Sequence, residues 1–201
     1  MNSMGEHEAL VRKCRDRITR DLKPRRVIHT ECVVAEAVAL AKKHGADVQK
    51  AEIAAWLHDI ARNLPQEEMN RYVKELDLGV RYLDNKNLAH SKVGAAIIKN
   101  ELGITDPEIL YAVSYHTTGR EGMTLLDKII FLADAMEPNR NYPGVERLRE
   151  LVREDLDKAC AYSLRRTKDY VESKGEYLDP DTLNALEYCE REIRKNERKP
   201  D

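Results

Sequence analysis

Proline and glycine divide this chain into successive stretches that carry helical periodicity and nowhere the alternation of a strand. The breaks include Pro24, Gly45, Pro65, Gly103, Pro107, Gly119, Pro138 and Pro180. Between Pro24 and His44 the residues Val33, Ala37 and Leu40 fall on one face with His29, and Gly45 supplies the stop. Asp47 suits the N-cap of a helix running through Ile53, Ala54 and Leu57 to His58-Asp59, which breaks before Pro65. Pro65 to Glu68 opens another helix, with acidic residues where the helix dipole favours them. Further helices are expected from about Glu6 to Leu22, from Leu88 to Leu102 with His90 in the first turn, and from Asp106 to His116, ended by Thr117-Thr118-Gly119. The pattern continues over Leu125 to Met136, Val145 to Val152, Asp155 to Lys174 and Thr182 to Lys195. No repeat or composition shift divides the chain. The reading is therefore an all-α bundle of about eight or more helices, one domain over residues 1–201 with its terminal helices packed on the middle.

Composition narrows the possibilities. With 42% hydrophobic residues but one Phe and one Trp, the interior must be built mainly from Ala, Leu, Val and Ile. The 34 basic and 36 acidic residues nearly cancel, so a nucleic acid polymer is not expected as a partner. Cys14, Cys32, Cys160 and Cys189 form no Cys-x-x-Cys pair and read as small buried or half-buried side chains in a reducing compartment. Residues 1–8 hold no apolar signal region, and no run is long and apolar enough to span a bilayer. A soluble, cytoplasmic protein is expected, with no membrane partner.

Against this apolar background, His29, His58-Asp59, His90, His116 and Asp134 stand inside or at the ends of helices whose other residues are core formers. Burying several imidazoles and carboxylates together is costly unless a cation compensates. A His29, His58, Asp59 and Asp134 set would use the ligand types of iron, manganese, zinc or magnesium and leave positions open for water and a substrate oxygen. Any one of these residues alone reads as a hydrogen-bonded core group; the set in this order reads as a hydrolytic metal centre.

The order His, His-Asp, Asp on successive helices resembles the HD superfamily of metal-dependent phosphohydrolases. Its flanks resemble the YqeK group, the symmetrical bis(5'-nucleosyl)-tetraphosphatases of bacteria. The resemblance runs from Arg26-Val27-Ile28-His29 through Leu57 to Arg62, His90 to Ala95, His116 to Gly119 and Ala133 to Arg140, ending at Leu178 to Leu183. Glu137-Pro138-Asn139-Arg140 and Tyr142-Pro143-Gly144 are its most specific segments. Arg62 stands where the group more often has Lys, and Asp179 where it often has His.

The resemblance implies an all-helical enzyme that splits diadenosine tetraphosphate in its middle into two ADP, usually with iron. His29, His58, Asp59 and Asp134 would hold the metal. Arg26, the turn Asp59, Ile60, Ala61 and Arg62, and His90, His116 and Arg140 would meet the polyphosphate. The segment of Tyr177, Leu178, Asp179 and Thr182 would close over one nucleotide. His90 and His116 could instead hold a second ion with Asp59. A homodimer is one candidate assembly. Alternatives are another HD phosphohydrolase acting on a different nucleotide, or a sensor that keeps metal and nucleotide without turnover.

The chemistry of polyphosphate cleavage fits these residues. Negative charge must be neutralised on both the attacked and the leaving phosphate, a task open to Arg26, Arg62, Lys128 and Arg140. A metal lowers the pKa of bound water from ~16 toward ~7, so no Ser or Cys nucleophile is required. Asp59 and His116 are the candidate catalytic groups, His116 by donating a proton toward the leaving phosphate. Arg62 and Lys128 read equally well as surface ion pairs, Lys92 reads as solvated, His7 and His44 as idle at exposed termini, and the charged terminal helices as solvated faces.

Overall fold

A computed structural model describes residues 3–198. Among them the chain forms ten α-helices and no strand: α1 (Ser3–Asp21), α2 (Pro24–His44), α3 (Val48–Leu57), α4 (Gln66–Glu75), α5 (Lys86–Leu102), α6 (Pro107–Tyr115), α7 (Leu125–Met136), α8 (Val145–Glu154), α9 (Leu156–Lys174) and α10 (Pro180–Glu197). A short 3-10 turn, Val80–Tyr82, which the sequence pattern does not signal, joins α4 to α5.

Helix α7 lies at the centre. Leu126, Ile129, Ile130, Phe131, Leu132, Ala133 and Met136 are buried around its whole circumference, as expected of a helix enclosed by others. It packs against α2, α3, α6, α8 and α9. Helix α3 lies beside it with Ala51, Ala54 and Ala55 fully buried, and these small side chains let α1, α2 and α6 approach. One continuous core reaches from Cys14 in α1 to Cys189 in α10, and Trp56 and Phe131 both belong to it.

The caps fix where the polar residues fall. Asp47 accepts from the amides of Gln49 and Lys50, Asp106 from Glu108, and Asp155 from Asp157 and Lys158, at 2.8–3.1 Å. Thr124 and Asp127 form a reciprocal capping box that starts α7. Several boundaries differ from those the sequence suggests. Asn85 caps α5 and starts it at Lys86, so His90 stands in the second turn rather than the first. Asp179 caps α10 through Asp181 N (2.9 Å) and brings its start forward to Pro180. Helices α3 and α6 end at Leu57 and Tyr115, leaving His58 and His116 as C-caps and Asp59 in the turn beyond.

Expectations about two charged side chains, His7 and Lys92, are corrected. His7 contacts Glu52 at 2.8 Å and joins α1 to α3, whereas His44, half-buried, has a ring nitrogen without a partner among the described residues. Of the two readings of Lys128 the structure takes the ion pair, with Asp157. The Lys92 ammonium is buried, because α5 packs against α6 where α10 begins: its Nζ lies 3.2 Å from the centre of the Tyr115 ring and 3.6 Å from Asp181 Oδ2. Burial lowers its pKa to about 8.

Candidate metal centre

Four imidazoles stand in a row through the bundle. Ring centroids are 5.5 Å apart from His29 to His58, and 5.0 Å both from His58 to His116 and from His116 to His90. One device orients two of them. At the end of α3 the last carbonyls lack helical partners, and His58 Nδ1–H donates to Ala55 O at 2.7 Å. At the end of α6, His116 Nδ1–H donates to Val113 O at 2.7 Å. These bonds set the tautomer and leave each Nε2 with a bare lone pair aimed inward. His29 uses a carboxylate for the same purpose, its Nδ1 lying 3.1 Å from Glu137 Oε1. His90 Nδ1 lies 3.1 Å from Lys86 O and 3.2 Å from Arg62 Nη1.

The two carboxylates stand among these nitrogens. Asp59 Oδ2 faces His58 Nε2 (3.6 Å) and His29 Nε2 (3.9 Å), while its Oδ1 faces His90 Nε2 (3.1 Å) and His116 Nε2 (3.7 Å). Asp134 Oδ1 is 3.0 Å from His29 Nε2 and 4.0 Å from His58 Nε2. Neither His29 Nε2 nor His58 Nε2 has a hydrogen-bond partner among the described residues, although both atoms are buried. His90 and His116 bring their Nε2 atoms within 3.1 Å of each other. Unpartnered imidazole lone pairs converging on two carboxylates form a cation site, and three overlapping His/Asp groups have their ligand atoms within 4.8 Å of one another.

Electrostatics agree with this geometry. Burial drives His58 down to about 4, so the ring is neutral and its nitrogen is available at neutral pH; burial also lowers His90. Burial would raise Asp59 and Asp134, but His58, His116 and His90 around the first, and His29 and Arg140 beside the second, hold both carboxyls well below their usual range.

Arginines surround the cluster. Arg26 Nη1 donates to Asp59 Oδ2 at 2.8 Å. Arg140 donates from Nε to Asp134 O (2.8 Å) and from Nη2 to its carboxylate. Arg62 lies beside His90 and donates to Asn87 Oδ1 at 3.0 Å. The Ile60 and Ala61 side chains are buried in the core, Ile60 against Gly94, so only their backbone could meet a ligand. Leu178, Asp179, Thr182 and the exposed Tyr177 line a cavity of about 460 Å³ together with Thr117 and Asn87. Thr117 Oγ1 is 3.3 Å from His116 Nε2, which sets this cavity against the cluster. Asp179 is buried, capping α10 and lying 3.6 Å from Arg81.

Sequence reasoning gives no role to Glu137, although it is the buried group that orients His29 and accepts from Asn139 N at 2.7 Å. Its signal is an acid placed directly after the apolar run of α7 and before Pro138.

A helical bundle with this row of His and Asp defines a class, and residues 26–139 match the HD domain model. Over 181 residues the chain is 43% identical to the symmetrical bis(5'-nucleosyl)-tetraphosphatase of Bacillus subtilis (strain 168), covering 90% of this chain and 95% of that one. It is 44% identical over 156 residues to the protein of the same name from Halalkalibacterium halodurans, covering 77% and 83%. A crystal structure of a predicted HD superfamily hydrolase involved in NAD metabolism from Clostridium acetobutylicum superimposes with a TM-score of 0.86 at 37% identity, over 90% of this chain and 96% of that one. The chain belongs to the HD-domain family and, within it, to the group of symmetrical bis(5'-nucleosyl)-tetraphosphatases.

Proposed function

We propose that the protein hydrolyses diadenosine tetraphosphate at its central anhydride, giving two ADP, with iron as the favoured metal and manganese next. The observation that carries this reading is the buried set of Nε2 atoms without donors around Asp59, in a chain 43% identical to a symmetrical bis(5'-nucleosyl)-tetraphosphatase. His29, His58, Asp59 and Asp134 would hold one ion. His90 and His116 with Asp59 Oδ1 would hold a second, because the two faces of the Asp59 carboxylate address separate pairs of histidines. Nitrogen-rich donor sets of this kind suit first-row transition ions better than calcium. When bound, the metal supplies Lewis acidity for the phosphoryl oxygens and acidifies water.

The chain's own residues perform the remaining tasks. Asp59, kept ionised, accepts a hydrogen bond from the attacking water and aligns it. Arg26, Arg62 and Arg140 offset the charge of the phosphates and of the leaving ADP. The cavity bounded by Tyr177, Leu178, Asp179 and Thr182 receives one nucleoside, with Thr117 between it and the cluster. His116, with its Nδ1–H bonded to Val113 O, turns Nε2 to the cluster, where it would bind the second ion or, in its absence, pass a proton toward the leaving phosphate.

Product chromatography after anaerobic purification tests the reaction. Diadenosine tetraphosphate should yield ADP alone, a chelator should abolish its release, and iron or manganese should restore it better than calcium. Equal ATP and AMP would show attack at an outer phosphate and refute the reading.

A further inference from the structure

Two cavities adjoin the row of imidazoles, one beside its His116–His90 half and one at its His29 end. The first, beside His116, is the one bounded by Tyr177 to Thr182. The second opens at the His29 end, encloses about 730 Å³, and is lined by Lys23, Arg25, Arg26, Ile28, Asn63 and Asn139 beside His29, Glu137 and Arg140. A substrate with two nucleosides and a scissile bond midway between them must extend past the reacting phosphates in both directions. One nucleoside cavity leaves half of such a molecule without a partner.

The charges of the second cavity distinguish it from ordinary surface. Arg26 and Arg140 are engaged with Asp59 and Asp134, but Lys23 and Arg25, both exposed, have no carboxylate partner among the described residues. Its acid, Glu137, is buried and already bonded to His29 and Asn139 N. In a chain whose formal charge is −2, this is a local excess of cations facing the reaction centre. Ile28, the residue before His29, leaves 56% of its surface exposed beside these cations, which gives an apolar face for a sugar or base. The Asn63 side chain has no partner among the described residues and is available for hydrogen bonding.

We propose that this cleft is the subsite for the second nucleoside diphosphate half of the substrate. Lys23 and Arg25 hold its phosphates, and Ile28 packs against its nucleoside. The assignment rests on the diadenosine tetraphosphate reading above and adds that a symmetric molecule lies between two unlike pockets, so each chain has room for two ADP.

Calorimetric titration of the metal-loaded, full-length protein with ADP tests it. The wild type should bind two ADP per chain. A Lys23→Glu/Arg25→Glu variant should bind one, with the remaining affinity and the metal content unchanged. Its kcat/KM for diadenosine tetraphosphate should fall by at least about tenfold, the scale of one lost charge-assisted contact, and Ile28→Ser should lower it severalfold. One ADP per wild-type chain, or two in the variant at unaltered affinity, would overturn the cleft assignment while leaving the reaction standing. A wild type that binds ADP but releases none from diadenosine tetraphosphate would overturn both.

Discussion

Among individual residues, Arg140 changes most between sequence and structure. The sequence separates it from the metal ligands and makes it a phosphate clamp. The structure ties its guanidinium to both the backbone and the carboxylate of Asp134. Arg140→Ala should therefore weaken metal retention by about tenfold to a hundredfold, the usual effect of removing a group that orients a ligand, and lower kcat/KM with it. Arg140→Lys keeps the charge but loses the fork and should fall between the two. Metal analysis and kinetics on the same samples check this, and normal values for both variants would contradict it. His58 gives a pH signature. Its ring titrates near 4 in the fold against an ordinary 6.5, so between these values the unfolded chain binds more protons. The contribution is complete above pH 6.5 and is lost as pH falls toward 4. Asp59 and Asp134, both lowered, withdraw theirs only at still lower pH. Melting temperatures of metal-free protein should decline from pH 7 to 4.5, and a flat profile would show that the buried ring is not neutral.

At the scale of the helices, the ends of α3 and α6 carry the site. The sequence places His58 and His116 correctly in order but inside their helices, because apolar periodicity continues up to each histidine. It cannot show that the ring bonds back to the carbonyl three residues earlier and closes the helix. The turn after α6 also depends on Gly119, whose φ of +67° suits glycine and whose added Cβ would lie 3.0 Å from Ala185 Cβ and 3.2 Å from Leu164 Cδ2. Gly119→Ala should cost about 1–3 kcal/mol through crowding. It should also raise KM more than it lowers kcat, since α9 and α10 then shift at the cavity beside Thr117. Chemical denaturation and steady-state kinetics measure the two effects, and an unchanged KM would detach that cavity from substrate binding.

Across the whole molecule, the all-helical architecture and the convergence of His29, His58, Asp59, His90, His116 and Asp134 are legible in the sequence, because imidazoles and carboxylates set together in apolar helices are costly to bury without a cation. The shapes of the two cavities beside the row are not legible, since they form between elements distant in sequence, such as α5, the turn after α6 and the start of α10; the family resemblance alone points to the segment from Tyr177 to Thr182 of one of them. Lys92 reads as solvated for the same reason: its partners Tyr115 and Asp181 come from two other helices. No helix among the described residues is long and apolar enough to cross a membrane. One claim joins these scales, that the buried nitrogens and carboxylates at the centre of the bundle exist to hold the metal on which hydrolysis depends. Elemental analysis of wild type and His58→Ala, each checked for helical content and for ADP release from diadenosine tetraphosphate, tests it most directly. The variant should remain helical but lose bound metal and turnover together, whereas full metal content with unchanged hydrolysis would contradict the account.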